Sequence, residues 1–209
     1  MRTGQWLVPN DGIRWWYDSG ALSLDFAHTG VRDGPPSWEQ FHVPADLTVW
    51  LSERFDRLDD EATERELSDA LGLRASIYAL ARAAADGGTP AADDIDIVNL
   101  FAATPDIPPS LDGGHRQAGT AALRTGQVLS TIARDAVDLF GHEAGRIREC
   151  SADNCQLVFY DESRTNNRRW CSMQRCGNRA KVKAFRTRSV GAIAPQSHGA
   201  SPDEAGLHR

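Results

Sequence analysis

All four cysteines of the 209-residue chain lie within one stretch of 27 residues: Cys150, Cys155, Cys171 and Cys176, spaced C-x4-C-x15-C-x4-C. Few features restrict a fold so tightly. A short knuckle lets two sulfurs converge on one point, and two knuckles complete a tetrahedron around one ion at about 2.3 Å per bond. Thiolates suit zinc, a borderline-soft ion with no redox chemistry and no imposed geometry. Four protein ligands leave no open position for water, so the expected cofactor is one structural Zn2+ and not a catalytic one. Two disulfides or an iron–sulfur cluster use the same four residues and remain as alternatives. Against the disulfides, the start MRTGQWLVPNDG has no signal-peptide pattern and no cysteine lies elsewhere, which together predict a reducing, cytoplasmic setting.

The residues around the cysteines predict a small α+β unit. Gln156–Asp161 is apolar enough for a strand, and Glu162, Ser163 and Thr165-Asn166-Asn167 form a polar turn. Beyond the second knuckle, Asn178 to Arg188 contains helix formers and no breaker, with Arg179, Lys183 and Arg186 on one stripe. Strand, turn, knuckle and helix make a treble-clef-like module. Gly177 is expected to supply a backbone conformation that other residues resist. Trp170 reads first as part of the module's core, with base stacking as the alternative. Asp161 and Asn178 read as structural hydrogen-bonding groups, and His142 as a solvated loop residue.

Charge divides the chain. Between Ala144 and Ser189 there are eleven Lys/Arg and four Asp/Glu, a net of +7, while the rest of the chain carries −13. Four zinc-bound thiolates lower the segment to +5, which is still basic beside an acidic partner. Such asymmetry suits an anionic partner such as nucleic acid. Arg164, Arg168, Arg169, Arg175, Arg179, Lys181, Lys183, Arg186 and Arg188 are available for phosphate. Some of them are expected to dock the module on the acidic remainder, with Arg179 bracing the knuckle and Arg186 and Arg188 freer. With 41% hydrophobic and 25% charged residues the chain reads as globular, and no run of eighteen apolar residues predicts a membrane helix.

Upstream the pattern is mainly α. Gly4 to Thr29 is aromatic and irregular, and the alternation of Leu22, Leu24 and Phe26 predicts one short strand. A loop follows from Gly30 to Val43. Leu47, Trp50, Leu51 and Phe55 share one helical face after Pro44. A second helix, capped by Asp59 or Asp60, runs its apolar face through Leu67, Ala70, Leu71, Ile77, Tyr78 and Ala81 and stops at Gly87-Gly88. Thr89-Pro90 predicts the start of a third, which buries Ile95, Val98 and Phe101; Asp93, Asp94 and Asp96 are acidic groups at its N-terminus. After a Pro-rich loop from Pro105 to Gly114, a fourth spans Ala118 to Phe140, with Val128, Leu129, Ile132, Ala136, Val137 and Phe140 inward. Trp15, Trp16 and Trp50 read as core. The predicted organisation is 1–143 helical with a short β element, 144–189 the zinc module, and 190–209 a disordered tail.

The run from Cys150 through QLVFYDESRTNNRRWCSMQRCGNRAKVKAFRTR resembles the CGNR zinc-finger family, which takes its name from the tetrapeptide at Cys176-Gly177-Asn178-Arg179. Leu22-Ser23-Leu24-Asp25-Phe26, Thr29, Asp46-Leu47 and Trp50-Leu51 resemble the ABATE domain that usually precedes such a finger. The resemblance implies a stress-induced type of transcription regulator: DNA binding by the finger, and a small-molecule ligand for the helical domain. This chain has His28 where that family often has asparagine.

Three function classes follow. The first is a regulator whose finger contacts DNA through Arg164, Arg168, Arg169, Arg179, Lys181, Lys183, Arg186 and Arg188, while Asp25, His28 and Thr29 mark a ligand pocket after the predicted strand. The alternative reading of those three is a capped strand end. A homodimer would supply the contacts that one finger lacks. The second is an interaction module for RNA or an acidic protein. The third is an enzyme with its pocket upstream, although no G-x-S-x-G, H-E-x-x-H or phosphate-cradling glycine loop is present.

Overall fold

The computed structural model describes residues 3–8, 12–30, 39–56, 58, 60–109, 122–153 and 155–191. The predicted loop prolines 35 and 36, Asp59, residues 110–114 of the predicted loop, the start of the fourth helix at Ala118 and the tail beyond 191 lie outside these residues. The elements are β1 (Gln5–Leu7), β2 (Trp15–Tyr17), α1 (Leu22–Ala27), α2 (Pro44–Ser52), α3 (Glu64–Asp86), α4 (Ala92–Ala102), α5 (Thr125–His142), β3 (Ile147–Glu149), β4 (Val158–Tyr160) and α6 (Asn178–Gly191). The architecture is mainly α, with two antiparallel two-stranded sheets: β1 against β2 with Trp6 opposite Trp16, and β3 against β4 with Arg148 opposite Phe159.

The long helix α3 forms the centre, against which α4, α5, α1 and β3 pack. Its start is set by Thr63 and not by an aspartate at 59 or 60. The Glu66 N–H donates to the Thr63 hydroxyl at 3.2 Å while the Glu66 carboxylate accepts from the Thr63 N–H at 2.8 Å, a reciprocal pair that satisfies two free donors. Its end is Gly87, at a φ of +67° that side chains resist, followed by Gly88 N–H donating to the Ala83 carbonyl. Leu67, Ala70, Leu73, Ile77, Leu80 and Ala81 are buried. Helix α2 opens with Pro44 at its first position and the Asp46 carboxylate accepting from the His42 and Val43 N–H groups.

Several expectations need correction. The segment Leu22–Ala27 is a helix, not a strand, with all six residues buried. Leu22 and Phe26 enter the main helical core while Leu24 enters a second cluster with Ala81, Leu139, Ile147 and Val158. An element covered on every side has no polar face from which a period can be read. Helix α4 begins at Ala92 without a side-chain cap, so Pro90 precedes it instead of opening it, and Ile95 stays 39% exposed while Val98 is buried. Trp16 is outward on β2, 46% exposed, while its neighbour Tyr17 is fully buried, as strand alternation requires. Val137 likewise lies on the rim of α5 and not in the core.

The finger is built into the rest of the molecule. The Tyr17 hydroxyl donates to the Val158 carbonyl, and Tyr160 N–H donates to the Ser19 carbonyl at 2.7 Å. Arg82 of α3 pairs with Glu149 of β3 at 2.6 Å. No helix of the described residues is long and apolar enough to cross a membrane.

Candidate metal centre and basic face

Strand β3 delivers Cys150, whose N–H is held by the Leu157 carbonyl at 2.9 Å; Cys155 N–H is held by Ala152 at 3.0 Å. The second knuckle is a wide turn, Met173–Gly177, opened by Ser172 and continuing directly into α6. Gly177 is not there for backbone conformation, since its φ is not left-handed; an added Cβ would sit 2.7 Å from the sulfur of the half-exposed Met173, whose flexible end would have to move aside.

These elements bring all four sulfurs within 4.8 Å of one another, every cysteine buried. Cys155 and Cys171 lie 3.6 Å apart, as do Cys171 and Cys176. A disulfide needs about 2.0 Å. The edge of a tetrahedron with zinc–sulfur bonds of about 2.3 Å is about 3.8 Å, so the spacing fits one ion. A multi-iron cluster, whose cysteines bind different irons, spreads its ligands further. Hydrogen bonds from Cys150, Cys155 and Cys171 pull the Cys176 thiol far below its ordinary value, whereas the same crowding, led by Cys150, holds Cys171 far above it. Only a bound cation lets all four ionise together in this buried volume. The four cysteines hold one structural Zn2+.

A family model described as "ABATE: Putative stress-induced transcription regulator" matches residues 20–143. The chain belongs to the ABATE family. A second model, the CGNR zinc finger, matches residues 146–189. No curated protein matches the sequence.

Around the metal centre of this ABATE protein the basic residues divide by what they touch. Arg168 stacks on the Phe159 ring at 4.2 Å and donates to the carbonyls of Trp170, Cys171 and Asp18. Arg179 donates to the Cys176 sulfur at 3.3 Å, and Lys183 pairs with Asp153. Arg175, a residue of the second knuckle, donates to the Ile13 carbonyl at 3.4 Å. By contrast Arg164, Lys181, Arg186 and Arg188 are exposed and make no hydrogen bond or ion pair among the described residues. Arg169 lies over the Trp170 ring at 5.0 Å, and Trp170 packs on the cysteine cluster. Asp161 is fully buried; burial works against its charge, but hydrogen bonds from Ser163 and the Arg168 N–H outweigh it and hold the carboxyl below its usual value.

The three groups expected to mark a ligand pocket are packed inside and bonded to protein. Asp25 accepts from the Gly4 N–H and from the Ser19 hydroxyl at 2.7 Å. Thr29 donates to the Phe26 carbonyl and lies 3.5 Å from Arg74, itself clamped on Glu39 by two bonds of 2.6 Å. His28 Nε2 meets both the N–H and the C=O of Val158, at 3.1 and 3.0 Å, with its ring between those of Tyr17 and Tyr78. His28 thus joins the ABATE segment to the finger. Sequence reasoning missed this role because the joint pairs residues 130 positions apart.

Burial, with the positive Arg82 adding to it, pushes His28 down to about 4, against the opposing hydrogen bond to Val158. Its folded value lies below its unfolded one, so its contribution is complete above pH ~6.5 and is lost as pH falls toward 4. Asp25 runs the other way: burial raises it to about 6, so its contribution is lost as pH rises through that range. The two oppose each other in wild type. The difference in unfolding free energy between wild type and His28→Asn isolates the histidine, and should shrink by about 3 kcal/mol between pH 7 and pH 4. Urea titrations at the two pH values check this; a difference independent of pH contradicts a neutral buried histidine.

Proposed function

We propose that this protein is a transcription regulator that binds duplex DNA through its zinc-organised basic face. The observation that carries the reading is α6. Every charged side chain described along it is basic, namely Arg179, Lys181, Lys183, Arg186 and Arg188, and it packs mainly on the second knuckle. At 100° per residue, Lys181, Phe185 and Arg188 share one face, and all three are exposed. That face, with Arg164 and Arg169 on the turn before the second knuckle, suits phosphate contact; a helix of this width fits a major groove. A homodimer doubles the few contacts of a single finger, and a small ligand supplies the signal. Both belong to the proposal.

The test is duplex binding by the zinc-loaded chain across a salt series. Counterion release makes affinity fall steeply with salt, and Lys181→Ala with Arg188→Ala should lower the log–log slope by about 2. Both side chains are exposed and make no hydrogen bond or ion pair among the described residues, so the variant should keep its zinc and its stability. Absence of affinity at low salt, or a slope unmoved by the double substitution, rejects the reading. Binding to RNA alone favours the RNA module instead.

A further inference from the structure

The hairpin formed by β1 and β2 lies outside both matched segments, which cover 20–143 and 146–189. It nevertheless forms one wall of a groove of about 650 Å³ whose other wall is α6. Ile13 and Trp15 stand on the hairpin side; Arg179, Val182, Lys183 and Arg186 stand on the helix, at the spacing i, i+3, i+4 and i+7 that places them on one face. This face adjoins the one that carries Lys181 and Arg188, with Val182 and Arg186 bordering both.

Three features decide what fits. The charged residues of the lining, Arg175, Arg179, Lys183 and Arg186, are all cations. The walls are largely apolar, with the half-buried Trp15 ring fixed edge-on against Tyr17 at 5.8 Å. The frame is tied in place: Arg175 bonds the Ile13 carbonyl, and Arg179 bonds the Cys176 sulfur. Arg186 alone of the charged lining makes no ion pair or hydrogen bond among the described residues. Small-molecule sites are typically concave volumes of ~300–1,000 Å³ with mostly apolar walls and a few convergent polar groups. A duplex lies across such a groove, whereas a bicyclic acid fits within it. We propose that the groove between the β1–β2 hairpin and α6 is a binding site for a small organic anion with a flat apolar body, its carboxylate on Arg186 and its rings between Trp15, Ile13 and Val182. It lies apart from Asp25, His28 and Thr29, which are buried and bonded to protein.

The site stands independently of DNA binding, and its test contains no DNA. Calorimetric titration of the zinc-loaded full chain with sodium 2-naphthoate should show saturable binding of one molecule per chain. The neutral 2-naphthamide should bind about tenfold more weakly, since a charge-assisted hydrogen bond is lost. Arg186→Ala should weaken naphthoate by a similar factor. Ile13→Asp, at a position 64% exposed, places a like charge in the groove and should abolish binding without touching the core. No saturable binding of 2-naphthoate, equal binding of acid and amide, or indifference to Ile13→Asp each overturns the proposal.

Discussion

Removing the zinc will disorder the amino-terminal hairpin together with the finger. Tyr17 is fully buried in the same cluster as the four cysteines, Leu157 and Phe159, and Leu7 and Trp15 pack on its edge. Without the ion, four crowded thiols lose the cation that holds them together, and the small core has no other centre. In small zinc modules the metal supplies about 10–16 kcal/mol, as much as or more than the total stability of a typical domain, about 5–15 kcal/mol. The main helical core around α3 contains none of the cysteines, so most of the helix should survive. Chelation, or Cys176→Ser, is therefore expected to leave most far-UV helical signal while amide protection vanishes from Gln5–Leu7, Trp15–Tyr17 and Val158–Tyr160. Hydrogen exchange on the apo chain reads this directly. Protected hairpin amides in metal-free protein contradict a shared core.

Phe159→Ala should cost about 3–5 kcal/mol, the range for emptying a buried aromatic site. Phe159 is fully buried on β4, and its ring supports the Arg168 guanidinium at 4.2 Å. The guanidinium in turn holds the carbonyls of Trp170 and Cys171, which set the entry to the second knuckle. The substitution therefore opens a cavity and loosens the arginine that braces a metal ligand. Phe159→Leu leaves a smaller cavity but also removes the ring under Arg168, so a loss smaller than for alanine is expected. Urea midpoints of the zinc-loaded variants compare the two. A loss under about 1 kcal/mol for the alanine variant means that the ring is not packed as described.

Legibility in the sequence followed the range of the interactions. The metal site was readable because cysteine chemistry and spacing are local, and α2, α3 and α5 because each has one wet and one dry face. Leu22–Ala27 misled because burial on every side erased its period, and its burial comes from α3, α5 and β4, distant in sequence. The cap of α3 at Thr63 was written in the T-x-x-E pattern, which competes with the aspartates upstream. The basic residues could be counted but not sorted: nothing local distinguishes Arg168, bonded to three carbonyls, from Arg164, which makes no hydrogen bond or ion pair among the described residues. The His28–Val158 joint and the groove beside Trp15 depend on the finger folding back on the hairpin, and no window of sequence contains both partners.

Elemental analysis of the freshly isolated chain, paired with alkylation of its thiols, is the most direct check of the metal centre. One zinc per chain is expected, with all four cysteines protected from alkylation until a chelator is added. Material without zinc, or with Cys150, Cys155, Cys171 and Cys176 oxidised in pairs, would contradict it.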